Sequence, residues 1–114
     1  YNLAMPEAFT RASQKMETGF FSTLDVARHL GVYVMASASI LQGRLAKGLP
    51  GEFADLVPGL TTDAQRALQF VRSTPGIGTA LVGMKSVAHV EENAAVAALA
   101  PLEGEQVRRL FTEA

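Results

Sequence analysis

A chain of 114 residues, 48% hydrophobic and 18% charged, can bury one modest core and is too apolar for intrinsic disorder. Its net charge of −1 lacks the basic excess that nucleic acid or an anionic membrane surface calls for. The absence of cysteine excludes disulfides and thiolate metal sites; the apolar runs are too short to span a membrane and no signal peptide is visible, so a soluble, cytoplasmic protein is expected.

The chain opens Tyr1-Asn2-Leu3 without an initiator methionine, and Pro6 follows directly on Met5, which reads as a chain entered midway. Residues 4–19 mix polar and small side chains with no clean period and read as loop with room for a short helix. Ser22 to Gly31 is the first convincing helix. Ser22 or Thr23 can cap it, Leu24 and Ala27 share a face with Val26 or Leu30, and Gly31 supplies a left-handed stop. Val32 to Ser39 is β-branched and small, with little alternation, which predicts a strand buried on both faces.

From Leu41 to Leu60 the chain carries Gly43, Gly48, Pro50, Gly51, Pro58 and Gly59, which excludes a long regular element there. So long a connection suggests a functional loop on a larger scaffold. Thr62 and Gln65 then stand at capping-box spacing. Ala64, Ala67, Leu68 and Val71 follow at i, i+3, i+4 and i+7, an amphipathic helix that Pro75-Gly76 ends. Ile77 to Met84 reads as a second strand, Val87 to Leu99 as a helix stopped before Pro101, and Leu102 to Phe111 as a last short helix. Strands alternating with helices predict β-α-β units and a parallel sheet. Two strands alone leave both sheet edges bare, so further protein, either more barrel or a second chain, is expected to cover them.

The richest stretch is Gly83-Met84-Lys85-Ser86-Val87-Ala88-His89-Val90-Glu91-Glu92-Asn93, where a glycine, a cation and a serine sit at a strand-to-helix junction. Unpaired N–H groups and the helix dipole favour a phosphate at such a start. Taken singly, Lys85 is a surface lysine, Ser86 an N-cap and His89 a helix-surface residue. Glu91 and Glu92 point about 100° apart on a helix and make a poor acid–base pair. His29 sits near a helix end, where its charge suits the dipole. Neither histidine has the carboxylate company a metal site needs.

Val34 to Gly43 resembles the seventh strand and following loop of the aldo-keto reductases. Ala67 to Ile77 resembles the seventh helix running into the eighth strand, and Ala80 to Asn93 the eighth strand and cofactor helix. The most specific piece is Gly83, Lys85, Ser86, Glu92 and Asn93 at the family's spacing. The resemblance implies the last two to three β/α units of a (β/α)8 TIM barrel, in an NADP-dependent enzyme that reduces aldehydes or ketones. It implies that Lys85 and Ser86 hold the 2′-phosphate with help from His89, that Glu92 and Asn93 meet the adenine edge and ribose, and that Ala38, Ile40, Gln42 and Gly43 line the pyrophosphate. Ser37 stands where many members place an aromatic ring against the nicotinamide. The family's catalytic aspartate, tyrosine, lysine and histidine belong to the first half of the barrel, so no catalytic residue is assigned here. Two other readings stay open: a cofactor-binding accessory or sensor protein without turnover, and a small β-α module for another phosphate ligand.

Overall fold

The computed structural model describes residues 3–4, 14–16, 19–40 and 43–112. Within the segment expected to be loop, Gln14–Met16 (β1) and Gly19–Phe21 (β2) instead pair antiparallel, with Lys15 opposite Phe20. The run lacks the strict alternation by which a strand of three residues could be recognised.

Helix α1 (Thr23–His29) begins as its sequence dictates. The Ser22 hydroxyl accepts from the Asp25 N–H, and the Asp25 carboxylate accepts from the Ser22 N–H, a reciprocal cap. At its end Val32 N donates to Ala27 O at 2.8 Å and Gly31 N to Arg28 O at 3.2 Å. Gly31 at φ 70° permits this closure, which a side chain would strain.

Strands β3 (Met35–Ala36) and β4 (Thr79–Ala80) pair parallel, Met35 opposite Thr79 and Ala36 opposite Ala80. The expected strands over 32–39 and 77–84 thus shrink to two residues each in the ladder. Beyond Ala36 the chain leaves the extended region at Ala38, whose φ is 57°. Burial on both faces is also corrected: Ala36 is 6% exposed but Met35 56%. One face of β3 meets the core, and among the described residues no layer covers the other.

The long connection contains one short helix, α2 (Phe53–Leu56). Helix α3 (Asp63–Ser73) carries the predicted Thr62–Gln65 capping box. It is more central than an amphipathic surface helix: Ala64, Gln65, Ala67 to Val71 and Ser73 are all buried. The polar residues among them are satisfied by distant loops, Gln69 Nε2 donating to Ala100 O at 2.9 Å and Ser73 Oγ accepting from Leu102 N at 2.7 Å. Phe70 and Val71 join Ala36, Val57, Leu102 and Leu110 in the core, and Phe111 stands edge-on to Phe70 with ring centroids 5.6 Å apart.

Helix α4 (Val87–Ala94) tightens into a 3₁₀ turn at Ala95–Ala98, short of the uniform helix expected to Leu99. Helix α5 (Gly104–Thr112) closes the core against α2 and α3. Among the described residues no helix is long and apolar enough to cross a membrane.

Candidate functional site

Because β3 and β4 run parallel, the segments that follow them leave from the same end of the sheet. Between those segments lies a cleft of about 870 Å³. Ala38, Ile40 and Gly43 form its wall on the β3 side; Gly83, Lys85, His89, Glu92 and Asn93 form the β4–α4 side. Eight of the sequence-predicted residues therefore converge on one space. Ser37 is exposed and not part of that wall, and Gln42 lies outside the described residues.

Ser86 does not line the cleft either; it builds the helix start that faces it. In extended conformation at φ −143°, its hydroxyl accepts from His89 N at 3.2 Å. The first turn of α4 contains no acidic residue, so the remaining N–H groups and the positive end of the dipole stay uncompensated. Lys85 stands beside this start, exposed and with no ion pair among the described residues. The combination suits a hydrated anion entering from solvent.

The structure adds residues that the sequence did not single out. Lys47, from the glycine-rich loop, lines the cleft as a second cation beside Lys85. A lone lysine in a loop gives no periodic signal, and only the fold brings it across. The loop is held by Asp63, whose Oδ2 accepts from Leu49 N at 3.2 Å while Oδ1 pairs with Arg66 at 3.0 Å. Ser39 is buried at 1% exposure beside the same space, its hydroxyl donating to Ala36 O. Leu81, Val82 and Met84 supply an apolar floor.

Glu92 has an unexpected second engagement. Its Oε1 accepts from the Thr62 hydroxyl at 2.9 Å, and its backbone carbonyl accepts from Gln65 Nε2 at 2.8 Å. Residues of the α3 cap thereby hold the second turn of α4. The cleft so built is lined by two cations, Lys47 and Lys85, by the tethered Glu92 carboxylate and by apolar Leu81, Val82 and Met84. Among the described residues, no group of three or more His, Asp or Glu side chains is arranged to hold a metal ion. Compared with known proteins, the chain matches no family model, and no curated protein or solved structure matches it with significance.

Proposed function

We propose that this chain forms the C-terminal part of an aldo-keto reductase-like (β/α)8 barrel and binds the nucleotide half of NADP in the cleft between the β3 and β4 exits. One observation carries the reading: the 38–43 turn and the Gly83–Asn93 segment, 40 residues apart in sequence, wall a single cleft at the carboxyl ends of two parallel strands. Ligands of parallel α/β folds bind at that end of the sheet. Lys85 and the α4 N-terminus would hold the 2′-phosphate, a charge on a flexible stem backed by oriented N–H groups. Lys47 faces the pyrophosphate, and the 38–43 turn approaches it with backbone.

The cofactor, when bound, supplies the hydride that reduces an aldehyde or ketone. This chain's residues bind and orient; the proton donor comes from elsewhere in the enzyme. Apolar Leu81 and Met84, 45% and 46% exposed beside β4, fit a segment that further protein covers.

The test is titration of the protein with NADPH and NADH, followed by nucleotide fluorescence. Lys85→Ala is expected to weaken NADPH by about 1–3 kcal/mol through loss of a charge-assisted contact, and to leave NADH nearly unchanged. Equal losses for both nucleotides would contradict the assignment.

A further inference from the structure

Helix α3 carries two half-buried arginines, and they differ in their partners. Arg66 pairs with the Asp63 carboxylate at 3.0 Å. Arg72 meets neutral oxygens: its Nη1 donates to Gln69 Oε1, Val96 O and Leu99 O, and among the described residues no carboxylate pairs with it. Those bonds fix the plane of the guanidinium but occupy only one of its nitrogens. Nε and Nη2, the edge that takes a carboxylate side-on, have no hydrogen-bond partner among the described residues. A cation drawn partly out of water with neutral partners alone still lacks its counter-charge.

Arg72 also lines a second cleft, of about 300 Å³, between α3, the β4 segment and the end of α4 with its 3₁₀ turn. Leu68, Ala80, Val82, Met84 and Val96 make its lining mostly apolar, and no acidic residue contributes to it. The cleft shares Val82, Met84 and Asn93 with the larger one but none of Lys47, Lys85, His89 or Glu92. One guanidinium in an apolar recess is complementary to a singly charged anion with an apolar body. At about 30 Å³ for each water-sized group the space holds about ten of them, which is the size of octanoate.

We infer that this second cleft binds a small aliphatic monocarboxylate, with the carboxylate on the open edge of Arg72 and the stem against Leu68, Ala80 and Val96. The inference stands apart from the nucleotide reading, whose charged residues do not line this space. The full chain is titrated by calorimetry with octanoate, with octanol, which has the stem without the charge, and with acetate, which has the charge without the stem. Octanoate is expected to saturate in the sub-millimolar range and to bind on the order of tenfold more tightly than either, the worth of a charge-assisted pair.

Two substitutions separate the charge from the cavity. Arg72→Lys keeps the charge but loses the fork, and should weaken octanoate on the order of tenfold while leaving octanol unchanged. Because Arg72 also holds the 3₁₀ turn, a second variant leaves it in place. Ala94→Leu, at an exposed position of α4 that lines the cleft, fills the space and should abolish saturable binding with the circular dichroism spectrum unchanged. Octanol binding as tightly as octanoate would overturn the role of Arg72. Undiminished octanoate binding in a folded Ala94→Leu chain would overturn the choice of this cleft. Absence of saturation in the unsubstituted chain would overturn the inference as a whole.

Discussion

The hydroxyl oxygens of Tyr33 and Thr79 lie 2.6 Å apart, joining the approach to β3 with the first residue of β4. To reach across, the Tyr33 ring passes directly over Gly78, where any Cβ would overlap it. The two-residue ladder is therefore supplemented by a side-chain tie, and that tie depends on the glycine beneath it.

Gly78→Ala should displace the ring. Because Tyr33 is 69% exposed, the ring can rotate into solvent, and the loss is the bond and its packing, about 1 kcal/mol. Tyr33→Phe should cost a similar amount or less. Urea unfolding midpoints of the double variant are expected to fall short of the summed single effects, since both remove one interaction. Full additivity would mean that Gly78 serves another purpose.

Asp25 makes the acid stability of α1 predictable in sign. Hydrogen bonds from the Ser22 side chain and then the Ser22 backbone N–H, with help from the Arg28 charge, hold its carboxyl below the ordinary value of 3.8. A depressed folded-state pKa stabilises the fold above the unfolded value, and this contribution disappears as pH falls through the lower, folded one. Stability measured across the acid range should therefore drop below about pH 4 more steeply in the parent than in Asp25→Asn. Parallel pH profiles for the two proteins would remove Asp25 from the account.

Arg72 Nη1 serves three acceptors: Gln69 Oε1 at 3.1 Å, Val96 O at 2.8 Å and Leu99 O at 3.0 Å. The last two belong to the 3₁₀ turn and its cap, where Val96 O also accepts from Leu99 N at 3.1 Å, so the guanidinium joins the closing bond of the turn to the carbonyl just past it. Arg72→Met keeps an apolar stem but removes the donor, and should destabilise by about 2 kcal/mol. Amide hydrogen exchange should localise the loss to residues 95–99 and α3. A change below about 0.5 kcal/mol would show that water replaces the guanidinium without penalty.

Helix starts were the most legible features of the sequence, because a cap is a short-range bond between residue types at fixed spacing. Thr62 with Gln65 and Ser86 cap where the spacing places them, and of the two candidates at α1 it is Ser22 that caps, with Asp25 as a reciprocal partner seen only in the fold. Strand lengths were not legible. The apolar runs around β3 and β4 specify extended chain, but the ladder is as long as the two partners overlap, and Ala38 turns one of them away. The centrality of α3 was hidden for a similar reason: Gln65 and Gln69 look like solvent-facing positions until the carbonyls of Glu92 and Ala100 arrive from about 30 residues away. Within the site, the strand-exit motifs found each other across the cleft, whereas Lys47 and the Thr62 tether depend on long-range placement that periodicity does not encode.

Ala38 is the only non-glycine residue among those described that sits at positive φ, and it does so on the wall of the cleft. A left-handed alanine costs about 1 kcal/mol that a glycine would recover. Selection for thermal hardiness alone would favour replacing it and slackening the turn. An engineer seeking a sturdier variant would thus be drawn first to a wall of the cleft, where looseness would most alter its shape.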